Sequence, residues 1–238
     1  MDNAGYTTLN RQSGLMREMQ VVANNIANLS TTGFRKEGVI FAEHVADLGA
    51  GEPSLSMASA EGRPINQSQG PLQQTGGTLD FAIEGEGFFQ ITTPDGNQLT
   101  RAGDFTRSPD GQLVSADGFA VLDAGGSPIS VPADAGPVSV ARDGTISAGG
   151  APLARVGLFL PVDRNDLTDA GGTRYKVAGA VEPVGDGSVF QGFLENSNVN
   201  SVSEITRMIE VQRAYEMGQG FLDAEDGRIR SVVQTLGR

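Results

Sequence analysis

Few side chains in this sequence can do chemistry: its 238 residues hold one histidine, His44, and no cysteine. That excludes a thiol nucleophile, a thiolate zinc site, an iron–sulfur cluster and a disulfide. One imidazole with neither a second histidine nor a thiol also leaves no nucleophile and base pair standing out. The 29 Asp plus Glu are plentiful, but no two of them stand at a spacing distinctive of paired-carboxylate hydrolysis. Gly85-Glu86-Gly87 has the look of a nucleotide-binding loop, yet no third glycine is correctly placed and no helical pattern follows, so it reads as a turn. His44 reads as a solvated connector residue. Composition therefore points away from an enzyme and names no catalytic residue, metal ligand or cofactor.

Charge narrows the partners. Lys plus Arg number 17 against those 29 acids, a net charge of −12, which disfavours nucleic acid because a polyanion is held by clustered basic side chains. No apolar run approaches the roughly 20 residues that span a bilayer, so no membrane insertion is expected. The opening MDNAGYTTLNRQ has an acidic second residue and no continuous apolar stretch, and predicts no cleaved secretory signal. Acidity is uneven. Residues 1–36 carry four bases and two acids, and residues 196–238 five bases and six acids, so 37–195 hold eight bases against 21 acids.

The elements follow the same partition, into an N-terminal helix and its sequel (1–36), an extended connector (37–77), an acidic β-rich domain (78–195) and a C-terminal helix (196–238). In the middle, Asp95-Gly96, Asp110-Gly111, Asp117-Gly118, Gly125-Gly126, Asp143-Gly144 and Gly149-Gly150 supply the positive-φ positions of tight turns. Thr78–Glu84 alternates apolar with polar residues, Phe88–Thr93 continues similarly, and 112–115, 119–122, 138–140, 145–147 and 155–160 are further short strands. Residues 46–77, rich in Gly, Ser, Gln and Pro, show little apolar periodicity.

At the N-terminus the period turns helical. Leu9, Met16 and Ala23 recur every seven residues, as do Leu15, Val22 and Leu29, with Met19 and Ile26 between, and together they predict one apolar stripe that ends near Thr31-Thr32-Gly33. At the other end Ser201-Val202-Ser203-Glu204 fits a capping box. Met208, Tyr215, Leu222, Ile229 and Leu236 then recur by sevens, with Val211 and Val232 alongside, as in a coiled-coil seam. Gly218, Gly220 and Gly227 weaken that helix and suggest a bend. Such stripes ordinarily pack on their own domain's core, but narrow seams at both extreme ends call for partners, either each other or equivalent helices on neighbouring chains. Each helix without its burial partner is expected to be disordered in a free monomer.

These residues also carry a resemblance. ANNIANLSTTGFRKE (Ala23–Glu37) resembles the N-terminal signature of the bacterial flagellar basal-body rod and hook proteins, and GFLENSNVNSVSEITRMIEVQRAYE (Gly192–Glu216) resembles their C-terminal signature. GEGFFQI (Gly85–Ile91) and LTRAGDFTRSPDGQLVSADGF (Leu99–Phe119) resemble the family's central β region. The opening six residues and the modest length are most similar to a proximal rod member, with a distal rod or hook member as the alternative. From another class, an exported β-sandwich binding module remains open.

The resemblance implies a mainly β central domain with long terminal helices that form a coiled-coil-like inner domain on assembly. It implies a torque-transmitting rod subunit that partners other rod proteins and copies of itself, and passes through the flagellar type III export apparatus to the periplasmic part of the rod. The assembly residues it implies are Leu9, Met16, Met19, Ala23, Asn24, Asn25, Ile26 and Asn28 in the first helix, then Gly33 and Phe34. At the other end they are Asn196, Asn198 and Val199, followed by Ile205, Met208, Val211, Tyr215, Leu222, Ile229 and Leu236. Among them Asn24, Asn25 and Asn28 read either as register-setting hydrogen-bonders or as solvated helix-end residues, and Met16, Met19 and Met208 as adaptable interface or core filling.

Overall fold

The structure, a computed structural model, describes residues 2–46, 55–132, 134–185 and 187–236. A helix stands at each end, α1 over Asp2–Ala27 and α2 over Ser201–Leu236, and between them the described residues form short strands paired antiparallel. The chain is thus mostly β between two helices, as its glycine-rich turns and apolar alternation imply. It divides into two compact units: Met1–Ala27, Glu37–Pro64 and Asn200–Arg238 form one, and Asn28–Lys36 with Ile65–Val199 form the other.

In the second unit, strand Phe88–Thr93 is central. It pairs with Gly96–Thr100 on one side, with Ala120–Val121 on the other, and through its first residues with Leu158–Pro161. Successive side chains of a strand point to opposite faces, so the adjacent phenylalanines serve two cores. Phe88 joins Leu99, Phe159, Leu167 and Tyr175, while Phe89 and Ile91 join Phe81, Phe105, Leu113, Val121 and Ile146. Phe105 meets Phe89 and Phe81 edge-to-face, with ring centroids 5.1 and 5.7 Å apart, the arrangement the aromatic quadrupole favours. The turn glycines Gly96, Gly111, Gly118, Gly126, Gly144 and Gly150 all take positive φ, as their Asp-Gly and Gly-Gly pairs require. Strands Phe81–Glu84 and Ser188–Gln191 pair apart from the main sheet, as do Leu72–Gln74 and Phe193–Glu195.

The first unit contains α1, α2 and a hairpin of Ile40–Ala46 with Leu55–Gly62. This differs from the expected connector: on either side of 47–54, which lie outside the described residues, the chain is paired β, and His44 stands opposite Met57 in that ladder. Small and polar residues in these two strands hide the period-two pattern, so composition alone reads as linker. Phe41 lies against α1 at Gly14, where a Cβ would come within 3.0 Å of its ring.

Both helix ends also differ in detail from expectation. Asn200, not Ser201, caps α2: its Oδ1 accepts from the Ser203 N–H at 3.0 Å and from the Ser203 hydroxyl at 3.2 Å. Glu204 is buried. α1 stops at Ala27, six residues before Gly33. Gly33 does take the left-handed conformation, φ 72°, but as part of the loop and not as the helix cap. α2 runs helical through Gly218, Gly220 and Gly227.

Phe89→Ala is expected to destabilise the β unit by about 3–5 kcal/mol, because it empties a fully buried site between two strands and a second ring. Urea unfolding followed by near-ultraviolet circular dichroism measures this; a loss under about 1 kcal/mol would mean that the two-core packing is misread.

Candidate assembly surface

α1 and α2 run antiparallel, and three polar contacts set their register. Gln12 donates Nε2–H to the Tyr215 carbonyl at 2.9 Å, Arg207 grips Glu18 at 2.5 and 2.6 Å, and Asn25 donates to the Glu204 carboxylate at 3.1 Å. Partial burial pulls the Arg207 pKa down, but hydrogen bonds to Glu18 and Glu210 outweigh that and raise it. A side chain at Gly218 would strike the Gln12 carboxamide, so this glycine admits the crossing. Asn25 does most: buried, it accepts from the Glu37 N–H and donates to the Glu37 carbonyl, each at 2.9 Å, as well as reaching Glu204. Its carboxamide thereby satisfies both backbone polar groups of Glu37.

This pairing covers one face of each helix. Val21, Val22 and Val211 are buried, while Met19, Ile26, Met208, Tyr215 and Leu222 are half-buried. Leu9, Met16 and Ala23 are exposed, as are Ile205, Ile229 and Leu236. The single stripe expected of α1 is therefore two: Leu9, Met16 and Ala23 line the outer face and Val22 the inner one, since a seven-residue spacing gives a face but not which side of the helix it is. Toward the α1 N-terminus the helices part around a cavity of about 340 Å³ lined by Leu15, Ala214, Met217 and Phe221 among others.

The remaining motif residues lie in the β unit, where they are structural. Glu195 is buried between two buried arginines: its Oε1 accepts from Arg35 Nη2 at 2.6 Å and its Oε2 from Arg101 Nη1 at 2.8 Å. Oε1 also accepts the Gly70 N–H at 2.7 Å, and Arg101 Nη2 donates to the Gly85 carbonyl at 2.7 Å. The Arg101 guanidinium, which also faces the Phe88 ring, is pushed down to about 10 by burial against the pull of Glu195, with Arg35 lowering it further. It remains charged at neutral pH. Around this node the Gly33 N–H donates to the Glu195 carbonyl at 2.7 Å and the Lys36 N–H to Asn198 Oδ1 at 2.7 Å, and Asn198 Nδ2 returns hydrogen bonds to the Asn66 and Ser68 carbonyls. A Cβ at Gly33 would run into the backbone of Arg101 and Ala102.

Of the residues expected at an interface, Gly33 and Phe34 are thus buried inside the β unit, and Asn196, Asn198 and Val199 half-buried there. Asn28 accepts from the Thr31 hydroxyl, and Asn24 donates to Glu37. Sequence reasoning missed Arg35, Arg101 and Glu195. The available signal was three charged residues set inside otherwise apolar or small-residue motifs. A polar pocket of about 260 Å³ holds Thr31, Thr32, Asp104, Asp117 and Arg174. Burial raises the Asp104 pKa, with Asp80 and Asp117 adding to the effect. Among the described residues no three of His, Cys, Asp and Glu are grouped to hold a metal, and no helix is long and apolar enough to cross a membrane.

Comparison with known proteins covers the same segments. Residues 6–35 match the family described as flagella basal body rod protein, 82–148 the flagellar hook protein FlgE/F/G D1 domain, and 191–235 the flagellar basal body rod FlgEFG protein C-terminal. The flagellar basal-body rod protein FlgF of Caulobacter vibrioides is 41% identical over 100% of this chain and 99% of its own length. That of Mesorhizobium japonicum is 37% identical over 100% and 99%. The rod protein FlgG of Bacillus subtilis is 31% identical over 96% of this chain and 97% of its own.

Two variants test the buried node and the surroundings of Asp104. Glu195→Ala leaves two buried guanidiniums without their carboxylate and is expected to cost about 3–5 kcal/mol, read by chemical denaturation; an unchanged midpoint would refute the node. Asp104→Asn is expected to raise the melting temperature at pH 7. A carboxyl whose folded pKa is raised binds its proton more tightly in the folded state, so folding strengthens as pH falls through the window above the ordinary carboxylate range. The advantage of the asparagine variant should accordingly shrink on acidification, and a constant advantage would contradict that cause.

Proposed function

The chain belongs to the flagellar basal-body rod protein family as a structural subunit most like the members called FlgF, and from that premise we propose how it assembles. In the rod, α1 and α2 of many subunits pack side by side in a coiled-coil-like inner tube, with the acidic β unit outside. The observation that carries this is the uncovered apolar face on each helix of the pair. Leu9, Met16 and Ala23 on one side of α1, Ile205 near the start of α2, and Ile229 and Leu236 near its end are left in water by the chain's own packing, and exposed apolar surface of this kind marks an interaction site. Met19, Asn24, Ile26, Met208, Tyr215 and Leu222, half-buried at the edges of the pair, complete those seams when neighbours arrive. Val211 and Asn25 set the pair itself.

Torque passes from motor to hook through this helix packing, since close-packed apolar seams resist shear by the voids that displacement opens. The chain reaches the periplasmic part of the rod through the flagellar type III export apparatus. Absence of cysteine suits that route, because no disulfide can form to block an unfolded chain. Other rod proteins and further copies of the chain are its neighbours. The terminal helices are expected to be less protected in a dilute monomer than in the rod, because part of their apolar surface is uncovered there.

Removing 205–236 is expected to abolish incorporation into isolated basal bodies and swimming in soft agar while leaving the β unit folded, as judged by its near-ultraviolet spectrum. Normal incorporation of the shortened chain would defeat the proposal.

A further inference from the structure

We propose that residues 188–199 are a strap that closes the β unit, and that the unit cannot hold its fold before the strap is laid down; the consequence for export rests on the rod-subunit reading above. Ser188–Gln191 pairs with Phe81–Glu84, and Phe193–Glu195 with Leu72–Gln74. Among the described residues neither Phe81–Glu84 nor Leu72–Gln74 has another strand partner. Phe81, Ala82 and Ile83 are nevertheless buried, at 0, 0 and 1% exposed, so their backbone groups cannot turn to water when the strap is missing. Val189, also buried, joins the core of Phe81, Ile83 and Phe89, and its N–H donates to the Arg142 carbonyl at 2.9 Å. The Gly192 carbonyl accepts from the Thr75 and Gly76 N–H groups at 2.8 and 3.0 Å. Gln191 holds three more backbone groups: its Nε2 donates to the Thr78 and Val138 carbonyls, and its Oε1 accepts from the Val140 N–H. One short segment thus joins the stretches around Gly33, Gln74, Ala82, Arg101 and Val140.

Charge makes this closure a condition of folding and not merely a gain. Arg35 and Arg101 are 0 and 2% exposed, and among the described residues Glu195, on the strap, is the only carboxylate within ion-pair distance of either. Before the strap arrives, the unit can close over these guanidiniums only by burying them unpaired. A domain's narrow margin of stability does not survive that, with the loss of two strand pairs added to it. Left in water instead, the two cations keep the loop after α1 and the segment around Arg101 out of the interior they share.

The order of these residues along the chain gives the strap its use. Arg35 and Arg101 precede Glu195 by 160 and 94 residues. Synthesis runs from the N-terminus, so the growing chain carries both cations long before their carboxylate exists, and once Val199 has been added only residues 200–238 remain. Contacts so distant in sequence also close slowly, because loop entropy is lost before the contact rewards it. The β unit therefore stays open through most of synthesis, and an unfolded chain is what a narrow export route can accept.

Hydrogen exchange in the purified full-length chain tests the strap. Under pulse labelling during refolding, amides of the ladder between Phe88–Thr93 and Gly96–Thr100 are expected to gain protection within about twofold of the rate shown by the strap-bonded amides of Gly33, Thr75 and Val189. Ladder protection that comes more than about tenfold sooner would overturn the proposal, because the sheet would then hold without its strap. At equilibrium, Glu195→Gln keeps the shape of the side chain and removes its charge, and it is expected to speed exchange of both sets of amides by the same factor, about tenfold or more. A rise confined to the strap-bonded amides, or no rise in either set, would count against the proposal equally. Should that variant not fold, the refolding experiment on the unaltered chain still decides. Both measurements use the isolated chain and so stand apart from the rod reading, which fails separately if a tagged wild-type chain is absent from isolated basal bodies.

Discussion

Two helices lying side by side can shield only one face of each, and this geometric constraint governs what the terminal segments are for. α1 and α2 both carry more apolar surface than their mutual contact can cover. Polar groups with exact partners, Asn25 above all, fix which faces meet, because a buried carboxamide holding a backbone N–H, a backbone carbonyl and a carboxylate tolerates no slip by a turn. The faces left over are a consequence of that choice. In a protein that acts alone they would be a liability, whereas in the assembly proposed above they are the surfaces that neighbours cover.

The β unit answers a different need. It folds around two aromatic cores of its own, and the Arg35–Glu195–Arg101 node ties the loop after α1 and the segment before α2 into it. Burying three charges is not a cheap source of stability. Arg35 Nε and Nη1 and Arg101 Nε have no hydrogen-bond partner among the described residues, so apolar replacements of similar volume could serve as well energetically. What the node adds is specificity, since only one arrangement of those two segments brings a single carboxylate to two guanidiniums and to the Gly70 amide.

How much of this the sequence discloses depends on the range of the interaction. Strand Phe88–Thr93 and the turn glycines are legible because strand alternation and Asp-Gly chemistry are local. The existence of both terminal helices and of apolar seams on them is legible for the same reason. The hairpin that includes His44 is not, because its small and polar residues mask the alternation. The outward placement of Leu9 and Met16 is hidden too, since a period marks a face without saying what covers it. Least visible was the node: Arg35 and Arg101 stand 160 and 94 residues from Glu195, and nothing local announces that three charges at such separations share one buried site. Gly33 and Phe34, motif residues expected at an interface, turn out to serve that interior.

Thiol accessibility tests the central claim most directly. A cysteine introduced at Leu9, and separately one at Ile229, should react freely with a soluble maleimide in the purified chain and be protected in intact basal bodies, because the faces bare in one subunit are buried against its neighbours. Equal reactivity in the two states, in rods shown to contain the variant chain, would mean that these faces stay in water after assembly and that the rod is held together elsewhere.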